Sequence, residues 1–426
     1  MFRKPSSIIA VLILLAGLGL YLFSIHESPP AIAPRPILLR PAIAATGKDA
    51  PPPLTCWVSG AHGDDALWQR RAEEFRIQSG RPVEITFYEA DDLCRKALAK
   101  ARHDGTLPDV FLLDALDAES WHKSGDLALQ DFPATESAYW LPAAVHALQR
   151  DDKLLAWPCD FSLLALYYNR SVFDRLGIAY PDIHWNWTIL LALSRTLYRP
   201  EAGNGKAPTY GIEFPFNFDL WQAMARQAGH GIYHDAVWEL GRTDGVLPQT
   251  AALEFMRDYF KVYIVAAPPR TEATGDYFRR GEAILCIAGP DLMPRLQGRT
   301  DFHWDVAPLP RGEVRATTLQ VDGWAVSAQS HDPYAASQLA QFLAHQPQHA
   351  GWLPVYEGAG APARTPEQEV FYRAAADAQG PPFLERAPEI EAFVNRELLN
   401  WIKQPDPSIK DFINLVNNNF KLQPKE

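Results

Sequence analysis

Leu54-Thr55-Cys56-Trp57-Val58, Pro82-Val83-Glu84-Ile85-Thr86-Phe87 and Pro108-Asp109-Val110-Phe111-Leu112-Leu113-Asp114 are three short apolar-rich runs, and the stretches between them decide the fold. The first run reads as a strand, the second alternates with period two, and the third is a continuous apolar run bounded by turn residues, as in a buried parallel strand. Between the first two, Asp64 and Asp65 suit a helix start. Leu67, Trp68, Ala72 and Phe75 give that helix a buried face, and Gly80 ends it. Between the second and third lies a helical stretch from Asp91 to His103. Strands alternating with helices predict a layered α/β domain with right-handed crossovers.

Outward from this unit, Leu163–Tyr168 reads as a strand and Ser171–Leu176 as a short helix closed by Gly177. Helices are expected over Thr188–Leu197 and Pro248–Tyr263, and strands over Ala283–Ala288, Trp304–Pro308 and Gly323–Ser327. Further helices follow over Asp332–Ala344, Thr365–Ala378, Pro388–Ile402 and Pro407–Phe420. No internal repeat is present.

Upstream of Leu54 the character changes. Pro5 to Ile25 carries no charge, and its twenty-one residues would span roughly 31 Å as a helix, about the thickness of a hydrocarbon core. Arg3 and Lys4 precede it and favour a cytoplasmic N-terminus. The alternative is a cleavable secretory signal, which needs small residues soon after the apolar region. Tyr21, Leu22 and Phe23 stand there instead, and no Cys sits where a lipid-modified signal requires one. The reading is an uncleaved anchor in the inner membrane through residues 5–25. Ser28 to Pro53 holds eight prolines and reads as a semi-extended linker of at most roughly 80 Å.

Composition sets limits. The chain has 426 residues, long enough for two lobes, with 47% hydrophobic and 21% charged residues, as in globular proteins. A net charge of −11 with no basic run argues against a nucleic-acid partner. Cys56, Cys94, Cys159 and Cys286 lack metal or redox spacing. They read as buried thiols, with disulfides the alternative. His230 and His234 are four apart, but the flanking Gly229 and Gly231 speak against a helix, so no metal site is expected. No P-loop, GxSxG, HExxH or GxGxxG motif occurs, so no catalytic residue and no cofactor is assigned.

Six segments in order carry a family resemblance: the opening strand with Trp57; Leu107-Pro108-Asp109-Val110-Phe111 with Trp121-His122-Lys123-Ser124-Gly125-Asp126-Leu127; Trp157-Pro158-Cys159-Asp160 with Ala165-Leu166-Tyr167-Tyr168-Asn169 and Phe173-Asp174-Arg175-Leu176-Gly177; Trp185-Asn186-Trp187-Thr188; Tyr277-Phe278-Arg279-Arg280-Gly281-Glu282-Ala283-Ile284 with Ala288-Gly289-Pro290 and Ala307-Pro308-Leu309-Pro310; and Asp322-Gly323-Trp324-Ala325-Val326. From about Leu54 to Lys421 the chain resembles the extracellular solute-binding proteins of ABC importers, in particular the sugar-binding group that includes maltose-binding protein. The resemblance implies a two-lobed periplasmic-binding-protein fold of type II. Its N-terminal lobe would comprise 54–155 plus 317–364, and its C-terminal lobe 156–316 plus 365–426. It also implies a small-molecule ligand, a carbohydrate, bound between lobes that close by a hinge and delivered to permease subunits, with no enzymatic step, at the outer face of the cytoplasmic membrane. The tether raises a second reading, a membrane-held sensory or polysaccharide-assembly adaptor.

Ligand binds at the carboxyl ends of strands in open α/β sheets, which selects the candidate residues. Trp57 ends the first strand and can stack on a sugar ring. Asp65 opens a helix and can accept hydroxyls, or cap. Asp114 ends a buried strand and can accept from hydroxyls or an amine. The resemblance puts Asp160 at a lobe crossing and Phe216 and Trp221 at a ligand-facing helix start. Asp291 follows Gly289-Pro290, where sugar-binding relatives often carry an aromatic, and Val394 likewise lacks one; both count against a linear maltodextrin. Gly323 permits close backbone approach, and Asp322 and Trp324 share a face as a polar and stacking pair.

Overall fold

Strand pairing divides the molecule into two α/β lobes. The structure is a computed structural model. It describes residues 52–60, 63–200, 208–229, 231–234, 237–238, 248–269, 274–298, 301–346, 351–380 and 386–420. The apolar stretch 5–25 and the linker up to residue 51 lie outside the described residues, as do His230 and the side chain of His234. Among the described residues no helix is long and apolar enough to cross a membrane.

Eleven strands build the two main sheets: β1 Leu54–Ser59, β2 Val83–Tyr88, β3 Val110–Asp114, β4 Trp157–Leu163, β5 Ala165–Asn169, β6 Tyr210–Glu213, β7 Ala283–Ala288, β8 Trp304–Ala307, β9 Thr317–Val326, β10 Leu353–Pro354 and β11 Ala378–Gln379. The first sheet runs β10-β4-β9-β3-β1-β2, with β11 added beside β9. The second runs β8-β5-β7-β6. β1 is parallel to β2 and β3, as the opening strand–helix–strand unit predicts, whereas β9 runs antiparallel to β3 and β4.

Local chemistry sets the element ends. The Asp64 carboxylate accepts from Leu67 N at 2.7 Å and opens the helix Asp65–Ser79, and Gly80 closes it at φ 76°. Asn169, Asn186 and Asn217 cap the helices Arg170–Leu176, Trp187–Leu197 and Phe218–Gln227 in the same way.

β4 and β9 connect the lobes, and both extend past the sequence expectation. No strand signal marks Trp157 to Ser162, and only the end of β9 carries one. Every residue of β4 is buried, so it lacks alternation, and Pro158 breaks the pattern further. Pro158 sits where the β4–β9 register shifts beside Asp322 and Gly323, a place that tolerates its missing N–H. β4 pairs within the first sheet, although the sequence boundary at 155 assigned it to the second lobe.

Each lobe has its own interior. In the first, Trp68, Phe75, Phe111 and Trp324 are fully buried. In the second, Phe214, Phe216, Trp221, Met256, Tyr259, Trp401 and Phe412 pack into one cluster. The four cysteines are buried free thiols.

Candidate functional site

The carboxyl ends of the first-sheet strands open onto a cavity of about 710 Å³, which residues of both lobes line. That volume falls in the ~300–1,000 Å³ range of small-molecule sites. From the first lobe come Ser59 at the end of β1, Asp114 at the end of β3, Asp117 just beyond it, and Asp91 and Arg95 from the helix Asp91–Asp104. From the second come Phe218, Asp219 and Gln222 on the helix Phe218–Gln227, and Glu391 and Asn395 on the helix Ala387–Lys403. Thr318, Gln320 and Asp322 of β9 form the floor between them.

The second-lobe wall is tied together. Asn395 Oδ1 accepts from Phe218 N at 2.6 Å, which joins the two wall helices. Gln320 Nε2 donates to Asp219 Oδ2 at 2.9 Å, and Thr318 Oγ1 donates to Asp219 O at 3.0 Å, which fastens the wall to β9. In the first lobe the Asp114 carboxylate accepts from Leu116 N at 2.8 Å.

The cavity is acidic. Burial, and then the Asp114 charge, push the Asp219 carboxyl up to about 7. Burial and Asp114 likewise push Asp117 up to about 6. Glu391 is raised well above the carboxylate range by burial and then by Asp219 and Asp114. Asp322 is raised by burial and then by Asp114 and Asp160. Asp114 and Asp219 stand on different lobes, so this mutual repulsion crosses the cavity. Such a wall accepts hydrogen bonds and attracts positive charge. Among the described residues no group of His, Cys, Asp or Glu is arranged to hold a metal ion.

Of the ten residues that the sequence singled out, Asp114 and Asp322 line the cavity. The other eight are not among its lining residues. Trp57 lies half-buried against Tyr88, ring centroids 5.5 Å apart. Asp65 is exposed in the first turn of its helix, where Gln69 Nε2 donates to it at 3.3 Å. Asp160 is 1% exposed and sits behind the wall, opposite Asp322 in the ladder. Phe216 stacks on Phe214 at 5.3 Å, and Trp221 meets Phe412 at 5.6 Å, both inside the second lobe. Asp291 pairs with Arg295 at 3.7 Å outside the cavity.

Gly323 is needed for packing: a Cβ there would come within 2.6 Å of Leu148 Cδ1. Trp324 shares the face of Asp322, but Trp68 covers it edge-on at 5.5 Å.

Several wall residues went unread. Asp91, Asp117 and Asp219 follow strands at or near helix starts, so the strand-end rule that selected Asp114 covers them too. Glu391 and Asn395 lie four apart on a helix far downstream, around the Val394 position that the resemblance marks as often aromatic in sugar-binding relatives; Trp352, on the loop before β10, carries no sequence signal.

A sequence model described as bacterial extracellular solute-binding protein matches residues 70–374, well over half of the chain. A comparison with curated protein sequences finds no match. Solved structures are similar in fold. An ABC substrate-binding protein of Listeria monocytogenes, in complex with cycloalternan, superposes with a TM-score of 0.70 at 21% identity, covering 87% of this chain and 99% of its own. The sugar-binding protein MalE of Xanthomonas citri gives 0.71 at 16%, covering 86% and 96%. A maltotriose-binding protein of Thermus thermophilus, bound with maltotriose, gives 0.64 at 17%, covering 86% and 99%. With two lobes, a cavity at the strand ends and a family match across most of the folded part, the chain belongs to the bacterial extracellular solute-binding protein family.

Proposed function

We propose that the chain captures a carbohydrate in the interlobe cavity and delivers it, unchanged, to the permease of an ABC importer. The observation that carries this reading is the cavity itself: its polar side chains come from both lobes and from the strand between them, so an occupant bridges the lobes and favours their closure. Asp114, Asp322, Gln320, Asn395 and Trp352 are its contacts, with acceptors for hydroxyls and an aromatic face for a ring. The similar structures bound with cycloalternan and maltotriose support a sugar. Residues 54–155 and 317–364 form the N-terminal lobe in this reading and 156–316 and 365–426 the C-terminal lobe, apart from β4. The apolar stretch 5–25 tethers the chain to the outer face of the cytoplasmic membrane, and the eight prolines of the linker let the lobes stand above it.

The test is thermal unfolding of the purified protein across a panel of sugars and polyols. Occupancy at 100 times the dissociation constant stabilises by about 2.7 kcal/mol and raises Tm. No shift across the panel would remove the carbohydrate reading. The tether favours a second reading, a membrane-held sensor or assembly adaptor. A binding-dependent pull-down of permease subunits supports transport, and capture of a membrane kinase or polymer synthase supports the adaptor.

A further inference from the structure

Six carboxylates line the cavity: Asp91, Asp114 and Asp117 from the first lobe, Asp219 and Glu391 from the second, and Asp322 from β9 between them. Two arginines face them. Arg102 is already engaged: its Nε donates to Asp126 Oδ2 at 2.6 Å, its Nη2 to Ser120 O at 3.0 Å, and its guanidinium lies over Trp121 at 4.7 Å. Arg95 stands on an exposed part of its helix, and its charge lowers Asp114, Asp117, Asp322 and Glu391 without cancelling their upward shifts. Neither Lys nor His is among the described lining residues. We propose that the solute carries a protonated amine, as an amino sugar or related basic polyol does, and that the opposed carboxylates select it over a neutral sugar.

This inference rests on the carbohydrate-capture reading and adds the charge of the ligand. The family cleft locates the site, and the carboxylates decide only what suits it. A neutral sugar presents hydroxyls that both donate and accept, but it brings no positive charge to a wall with six carboxylates and two arginines when the lobes close and water leaves. Closure also brings Asp114 nearer to Asp219 and Glu391, so like charges oppose it. An ammonium supplies three donors and one positive charge, and its bonds to carboxylates are charge-assisted. It also relieves the repulsion between walls, which couples binding to closure. The upward shifts of Asp219 and Glu391 agree: burial and neighbouring carboxylates make both groups favour positive charge beside them, which an ammonium supplies. Asp160 adds to the field from behind Asp322.

Titration calorimetry on the full chain in detergent, with four probes, tests this. The probes are the glucosamine disaccharide with free amines, its N-acetylated counterpart, maltose, and putrescine as an amine without a ring. At pH 7 the free-amine disaccharide should bind at least about tenfold more tightly than either neutral sugar. The preference should shrink in 0.5 M salt and at pH 5, where the Asp219 and Asp117 carboxyls have taken up protons and the amine keeps its charge. Asp117→Asn and Asp219→Asn, each checked for unchanged circular dichroism, should each lower the preference about threefold or more.

Equal or tighter binding of maltose or the N-acetylated disaccharide overturns the charge inference and leaves sugar capture standing. Binding of putrescine alone upholds the charge inference and overturns sugar capture. Silence from all four overturns both. A preference that both Asn variants leave untouched also overturns the inference, because the carboxylates would not be its source.

Discussion

The helix Phe218–Gln227 has two sides, and their contrast explains most of what the molecule does with its chemistry. On one side Trp221 is fully buried against Phe412, in the aromatic cluster of the second lobe. On the other, Asp219 and Gln222 face the cavity, and Gln320 holds Asp219 at 2.9 Å. The same division recurs on β9, where Asp322 reaches the cavity and Trp324 disappears beneath Trp68. Large aromatics gain most from leaving water, so the lobe interiors take them. Carboxylates lose solvation wherever they are buried, so a wall of them persists only where water or a ligand can replace it. Trp68, Trp221 and Trp324 therefore report on cores, while Trp352 and the strand-end Asp report on the cavity.

Five substitutions probe that contrast. Trp221→Ala should be the most damaging, at about 3–5 kcal/mol from the lost burial and the hole left behind. Denaturant unfolding measures it, and ligand affinity of the remaining folded protein should change little. A variant that folds normally but binds poorly would put Trp221 back at the ligand.

Gly323→Ala places a Cβ 2.6 Å from Leu148 Cδ1 and 3.0 Å from the Trp157 carbonyl oxygen. Overpacking of this kind costs about 1–3 kcal/mol. An unchanged denaturation midpoint would show that the β4–β9 contact yields easily.

Asp219→Asn works through pH. A carboxyl whose pKa rises on folding stabilises the folded state while it is protonated. The contribution of Asp219 is full below its ordinary value of 3.8 and is lost as pH rises through about 7. Ligand-free protein should therefore lose stability between pH 5 and pH 8. The Asn variant should flatten that slope and stand about 1–2 kcal/mol above the parent at pH 8, on the scale of one pKa unit. Parallel pH curves for the two proteins would mean that Asp219 does not sit in the mutual repulsion described above.

The smallest effects belong to the helix start. Asp64→Ala removes the cap to Leu67 N and should cost about 1 kcal/mol, whereas Asp65→Ala should cost less than about 0.5 kcal/mol. Neither should alter binding, since neither residue lines the cavity. Loss of affinity in Asp65→Ala would restore it as a ligand contact.

Much of the fold was legible. The opening strand–helix–strand unit, the capped helices with their closing glycines at Gly80 and Gly177, and β7 follow from local periodicity and end signals. β4 was not, because full burial removes its alternation while Pro158, Asp160 and Ser162 interrupt the continuous apolar run that makes the equally buried β7 readable. The site was partly legible. Asp114 was found because it ends a strand. Asp91, Asp117 and Asp219 stand at helix starts beyond strand ends, a few residues farther out than Asp114, where nothing local aims them at the cavity. Glu391 and Asn395 flank Val394, whose segment only the resemblance marks.

By itself, the sequence determined the order of elements and the α/β class, since periodicity and caps are local properties of the chain, and the order of its motifs carried the resemblance that implied two lobes with an opening at strand ends. Only the tertiary structure decided which side chains meet across that opening. Asp114 and Glu391 are separated by most of the chain, and their proximity depends on how β4 and β9 set one lobe against the other. It also decided the fate of the aromatics: whether a Trp faces a partner helix or a cleft depends on what covers it, and covering is a property of packing between distant segments.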